Sequence, residues 1–178
     1  MYIPEQIGKI RLTEKEIAEK VKEMGKELTR EYSGKNPIFI CVLKGACVFF
    51  CDLIRNVECP IEIQFIKAVS YNGTVSTGTV KMPDVDNLDI AGRNVVLVED
   101  IVDTARTLSA TVAKLGEKAP ASLKTVCLLD KPSRRTADLK EFKADYTGFE
   151  IEDFFAVGYG LDCNQQYRNL PYIGEYNG

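Results

Sequence analysis

The run from Asn94 to Thr107, NVVLVEDIVDTART, sets the tightest limit on what this chain can fold into. Val95, Val96, Leu97 and Val98 form a continuous apolar stretch, too short for a helix and rich in β-branched side chains. A strand reads this way when both of its faces are buried in a parallel sheet. Behind it stand Glu99 and Asp100, then Asp103, Thr104, Ala105, Arg106 and Thr107. From there LSATVAKL has helical spacing, with Leu108, Val112 and Leu115 on one face and Gly116 closing it. Three acids and two threonines therefore sit where a buried strand meets a helix N-terminus. Free backbone N–H groups and the helix dipole make such a turn a phosphate site, and neighbouring acids suit Mg2+ or ribose hydroxyls. The competing reading is an ordinary turn with solvated acids.

The same punctuation recurs along the chain. Ile38 to Leu43 is a second buried-strand run, followed by Leu43-Lys44-Gly45-Ala46 and an apolar helix carrying Val48, Phe49, Leu53 and Ile54. Lys44 is the only charge in that turn; it can equally be a plain surface lysine. Leu123 to Leu129 is another such strand, ending at Asp130-Lys131-Pro132-Ser133-Arg134-Arg135. Upstream, Thr13 with Glu16 three residues on forms a capping box for a helix to Tyr32, with Ile17, Val21, Met24 and Leu28 on one face. Ile61, Ile63 and Phe65 alternate with Glu62 and Gln64, which predicts a strand with one polar face. Four strand–helix alternations predict an open, mainly parallel, twisted α/β sheet flanked by helices. Ligands of such sheets bind beyond the carboxyl ends of the strands. Lys44, Glu99, Asp100, Asp103 and Lys131 all follow such ends, so all can face one cleft.

Composition narrows the chemistry. A length of 178 residues fits one domain, and the formal charge of −3 offers no bulk field for nucleic acid. No apolar run reaches membrane-spanning length and MYIPEQIGKI has no signal-peptide core, so a cytoplasmic protein without membrane partners is expected. The six cysteines read as reduced, small core residues. There is no histidine, which excludes Ser-His-Asp and Cys-His chemistry and leaves a carboxylate, Lys, Tyr or Cys as any general base.

The strand, Glu-Asp, apolar pair and Asp-Thr-x-x-Thr of residues 95–107 resemble the binding signature of type I phosphoribosyltransferases for phosphoribosyl pyrophosphate (PRPP). The chain departs from it at Ala105, where the family commonly has glycine. The tail resembles the hypoxanthine-guanine members, in Phe155, Val157, Gly158, Tyr159, Leu161 and Asp162 with Arg168 six residues on. LLDKPSRR, residues 128–135, is similar to the bacterial members. The resemblance implies one domain over residues 1–178, with a core of about 13–130 and a hood formed by about 131–178 plus the N-terminal segment.

It also implies a purine salvage enzyme moving the phosphoribosyl group of PRPP to hypoxanthine or guanine, giving IMP or GMP and pyrophosphate. Two alternatives are a xanthine-preferring enzyme and a PRPP-sensing regulator that grips nucleic acid. By resemblance, Glu99, Asp100, Asp103, Thr104, Ala105, Arg106 and Thr107 hold the ribose and 5′-phosphate, with Asp103 the general base. Lys44, Gly45 and Arg168 take the pyrophosphate, and the peptide before Lys44 is often cis in the family. Lys131, Phe155, Ala156 and Asp162 hold the purine base, while Glu99, Asp100 and Asp162 hold Mg2+. Ser70 and Tyr71 open a lid over residues 70–79, which composition alone would call a hairpin linker. The implied partners are PRPP and 6-oxopurines, with no nucleic acid, and further copies of the chain in a dimer or tetramer.

Overall fold

The computed structural model describes residues 2–70 and 80–178. In chain order the elements are β1 (Ile7–Leu12), α1 (Glu14–Tyr32), β2 (Ile38–Leu43), α2 (Cys47–Arg55), β3 (Glu62–Lys67), β4 (Val69–Ser70) and β5 (Val80–Lys81). Then follow β6 (Asn94–Val102), α3 (Arg106–Gly116), β7 (Ser122–Asp130), β8 (Tyr146–Glu150), β9 (Ala156–Val157) and β10 (Ile173–Tyr176). Five strands make a wholly parallel sheet in the order β3-β2-β6-β7-β8, with β6 at its centre. The expected open parallel α/β sheet is what the chain forms.

The apolar runs explain the layering. Along β2, Phe39 and Cys41 join the core under α1 and α2, while Ile38, Ile40 and Val42 join the core under α3. Along β6, Val96 and Val98 go to the first and Val95 and Leu97 to the second, and all four are fully buried. Each such side chain contributes roughly 1.5–3 kcal/mol over leaving it in water, so these runs hold the sheet between its helices. α1 begins where the sequence says: the Thr13 side chain accepts from Glu16 N–H, and the Glu16 carboxylate accepts from Thr13 N–H. All six cysteines are free; burial pushes the thiol of Cys127 up to about 12 and that of Cys41 up as well, while Cys51 is exposed rather than a core residue.

Three departures from the sequence reading matter. β6 does not stop at Val98 but carries Glu99 and Asp100 within it, Glu99 lying opposite Cys127 of β7. The β3 alternation placed its apolar face wrongly. Ile63 and Phe65 are 44% and 45% exposed, and Ile66, on the face of Glu62 and Gln64, is the buried residue. β3 is an edge strand, and Phe65 lies edge-on to Phe50 of α2, with centroids 5.6 Å apart. Finally, Tyr146–Glu150 adds a fifth parallel strand beside β7, a residue range the alternation left out.

A smaller antiparallel sheet, β1-β10-β9, stands beside the main one. Val157, Leu170, Tyr172 and Ile7 form its own buried cluster. β4 and β5 pair antiparallel through Val69 with Lys81 and Ser70 with Val80. Of the expected lid, Ser70 lies in β4 and Tyr71 lies outside the described residues.

Candidate active site

The turn after β6 has the geometry of an anion site. Ala105 is the N-cap of α3 and has no side chain able to cap it, so the first amides of an eleven-residue helix open on the turn. Ala105 takes φ +66°, the left-handed region, and is buried. This is the conformation that explains why glycine is common there. Thr104 supplies one local bond, accepting from Arg106 N–H at 3.4 Å, and Arg106 itself is exposed. Glu99 to Ala105, with Thr107 and Leu108, line a hollow of about 250 Å³. A larger hollow of about 750 Å³ lies between α1, α2 and residues 159–171, and it shares Arg168 with this site. We place the chemistry at the smaller one because the N-terminus of α3 opens on it beside Glu99, Asp100 and Asp103.

Two loops meet under the acids. A Cβ built on Gly45 would come within 1.6 Å of the Asp100 carboxylate, so glycine lets the Lys44 loop lie against the end of β6 without displacing that side chain. Gly160, at φ +103°, packs in the same way on the Gly45 carbonyl, where a Cβ would fall 2.1 Å from the oxygen. The Leu43-Lys44 peptide is cis. Arg168 donates to the Gly160 carbonyl at 2.7 Å and pairs with Asp162 at 2.7 Å. Lys44 and Arg168 both reach the Gln165 side-chain oxygen, at 3.2 and 3.4 Å. The sequence-expected pyrophosphate group, Lys44, Gly45 and Arg168, is thus brought together.

Burial governs the acids. Desolvation pushes the carboxyl of Glu99 well above its usual range, and its neighbour Asp100 adds to the effect. Asp100 is also raised by burial, while its bonds to Glu99 and Ile101 N–H and the nearby Arg168 charge pull the other way. Asp103, less buried, accepts from Arg134 Nε at 3.2 Å. Among the described residues no three Cys, Asp or Glu side chains form a ready cation cage.

The opposite wall comes from β7 and the small sheet. Lys131 is 6% exposed; its ammonium donates to the Phe154 carbonyl and lies 3.9 Å from Asp153. Phe155 is 56% exposed, with one side against Tyr176 at 5.8 Å between centroids. Ala156 is buried in β9, opposite Glu175. Asp162 spends one oxygen on Arg168 and the other on Gln165 N–H at 2.8 Å.

Sequence reasoning gave no role to four participants. Gly160 carried a signal, a second glycine within Gly158-Tyr159-Gly160. Tyr159 anchors this turn by donating to Asp52 at 2.6 Å, a contact across 107 residues that no local pattern reveals. Arg134 stood out only as part of the LLDKPSRR run and Asp153 not at all, yet they join the two walls.

Residues 10–164 match the family described as the phosphoribosyl transferase domain. The hypoxanthine-guanine phosphoribosyltransferase of Bacillus subtilis is 48% identical over 169 residues, covering 94% of this chain and 92% of the relative. The bifunctional protein TilS/HprT of Listeria monocytogenes is 47% identical over 169 residues, and there this chain spans 26% of the relative's length. A solved hypoxanthine phosphoribosyltransferase of Staphylococcus aureus superposes with a TM-score of 0.89 at 41% identity, covering 96% of this chain and 92% of that one. The chain therefore belongs to the phosphoribosyltransferase family, in the group of its hypoxanthine-guanine members.

Proposed function

We propose that this protein transfers the 5-phosphoribosyl group of PRPP to hypoxanthine or guanine, releasing pyrophosphate. The observation that carries the reading is the meeting of an open helix N-terminus, the Glu99–Asp100 acid pair with Glu99 buried, and a Lys-Gly loop at the strand ends, opposite Lys131 and Phe155. Displacement at the ribose C1 builds cationic character on the sugar and negative charge on the departing pyrophosphate. Lys44 and Arg168 offset the latter; that both converge on one Gln165 oxygen supports a common anion locus. Thr104, Thr107 and the amides from Ala105 to Thr107 bind the 5′-phosphate, while Glu99 and Asp100 hold the ribose hydroxyls.

Asp103 receives the proton from purine N7. The exposed face of Phe155 stacks on the base, Lys131 donates to its O6, and the Ala156 backbone reads the opposite edge. Glu99, Asp100 and Asp162 are the candidate Mg2+ ligands. A partial carboxylate set beside a phosphate turn fits this ion, which is commonly held by one or two carboxylates together with substrate phosphates and water. When bound, Mg2+ would neutralise charge on the pyrophosphate.

A nucleic-acid-binding regulator is the second reading, and it would draw on a basic patch of Lys131, Arg134 and Arg135, whose charges are largely engaged within the protein. The Arg135 side chain is 2% exposed against Asp130, Arg134 pairs with Asp103 and Asp153, and Lys131 is buried. No helix among the described residues is long and apolar enough to cross a membrane. A cytoplasmic homo-oligomer remains part of the proposal. The test is a product assay with PRPP, Mg2+ and hypoxanthine, guanine, xanthine or adenine in turn. Turnover of hypoxanthine or guanine is expected; nucleotide from neither would refute the reading, and faster turnover of xanthine would reassign the substrate.

A further inference from the structure

Lys131 and Arg134 flank one 3₁₀ turn, Pro132–Arg134, closed by a bond from Arg134 N–H to the Lys131 carbonyl at 3.0 Å. Residues three apart on such a turn project to the same side. Both side chains accordingly reach Asp153, Lys131 at 3.9 Å on one carboxylate oxygen and Arg134 at 3.6 Å on the other. Arg134 also turns its Nε to Asp103 Oδ1, 3.2 Å away. One guanidinium thereby links a carboxylate at the end of β6 to a carboxylate in the loop before β9. A continuous chain of charges, Asp103–Arg134–Asp153–Lys131, spans the two walls of the site.

We infer that Arg134 is a positioning residue, which sets the spacing and orientation of Asp103 relative to Lys131 through Asp153. The inference rests on the reading above, in which Lys131 meets O6 and Asp103 takes the N7 proton. Those two purine atoms lie side by side on one edge of the base, whereas their protein partners come from different strand ends. A planar guanidinium donates in fixed directions, so it can hold two carboxylates at a set separation; an ammonium is a rotatable point charge and cannot. Because Oδ1 is engaged by Arg134, Oδ2 is the Asp103 oxygen left for N7. The proton passes to it while the N–H electron pair stays in the ring.

The rest of the turn is fastened without Arg134. The neighbouring Arg135 donates to the Val102 carbonyl at 3.0 Å and to the Asp103 carbonyl, and pairs with Asp130. Arg134 is itself 49% exposed, and ion pairs so exposed contribute little to stability. Its geometry therefore serves the site more than the fold.

The experiment measures steady-state kinetics of Arg134→Gln, Arg134→Lys and Asp153→Asn with hypoxanthine and PRPP varied separately, alongside thermal melts. Displacing a reacting group by about 1 Å costs up to about 10²-fold. We therefore expect Arg134→Gln to lower kcat about tenfold or more, with the KM for PRPP changed less than about twofold and the melt preserved. Arg134→Lys recovers only part of the loss. Turnover within about twofold of the parent for Arg134→Gln, full recovery by lysine, or a matching rise in the KM for PRPP would overturn the inference. If Arg134→Gln melts early, Asp153→Asn decides: a kcat loss with a normal melt upholds it, and unchanged kcat overturns it. No turnover by the unsubstituted protein would instead refute the function itself, together with what rests on it.

Discussion

Replacing Ala105 by glycine should leave stability nearly unchanged, and the near-cancellation is itself the test of the turn's conformation. At φ +66° an L-residue costs roughly 1–2 kcal/mol relative to a right-handed conformation, and glycine removes that cost. Against this, the buried methyl of Ala105 packs in the α3-side core, and losing it forfeits about 0.8 kcal/mol. Glycine also gains freedom in the unfolded chain, worth a further 0.4–1 kcal/mol or so. The net lies within about 1 kcal/mol of zero, a melting shift of at most about 2–4 °C for a chain of this length. Urea unfolding with a constant m value reads it directly. Were φ negative, only the two losses would remain, so a destabilisation of about 1.2–1.8 kcal/mol or more would refute the left-handed assignment. The turn's amides keep their path in either variant, so PRPP affinity by titration calorimetry should move by less than about threefold. A tenfold gain, about 1.4 kcal/mol, would mean the methyl obstructs the phosphate.

Asp103→Asn keeps an oxygen for Arg134 Nε but cannot take a proton, so kcat should fall by about 10²–10⁴-fold at little change in PRPP affinity; near-normal turnover would remove Asp103 from the mechanism. Lys131→Met should depress kcat/KM for hypoxanthine and guanine alike, by about 10²-fold, while PRPP binding persists; efficient use of adenine by the unsubstituted enzyme, or an unaffected variant, would sink the O6 assignment. Glu99→Gln addresses pH dependence. Burial holds the Glu99 carboxyl above its unfolded range, so the native state is favoured where the acid is protonated and loses stability as pH rises through the folded value. The variant should therefore melt higher than the parent at alkaline pH, with the gap narrowing toward acid. Parallel melting curves across pH would contradict the burial argument.

The parts of the site legible in the sequence are those that local pattern encodes. Val95–Val98 could be read as a central strand because both faces demand apolar side chains, and the Thr13–Glu16 capping box because its bonds close within three residues. Lys44, Asp103 and Lys131 followed, since a strand end fixes where its turn must face. The pattern was silent where contacts are non-local or where a strand lies at an edge. Tyr146–Glu150 has no apolar run, because only its inner side is covered; Gly148 lies where a Cβ would meet the Leu128 carbonyl at 2.6 Å. Glu99 and Asp100 broke the expected apolar composition of a strand because the C-terminal end of β6 opens on the cleft. β1 could not be inferred at all, as its partner β10 lies at the other end of the chain.

That silent N-terminal strand has a physical reason to be where it is. Arg11 of β1 grips Glu175 of β10 with two nitrogens, at 2.9 and 2.7 Å, and sets its guanidinium 4.7 Å from the centroid of the Phe154 ring. The Lys131 ammonium lies 5.7 Å from the same ring and donates to the Phe154 carbonyl. Phe154 is thus fixed by cations from two sheets, and the next residue is Phe155, whose exposed ring rests on Tyr176. Cation–π contacts gain strength when the ion is withdrawn from water, as Lys131 is. A phosphate turn can be built from one strand and one helix, because backbone amides supply it. A flat, neutral base offers no charge to grip and needs a rigid aromatic face and a donor at a set distance. On the function proposed, β1, the β7 turn, β9 and β10 supply that rigidity by meeting around residues 153–156.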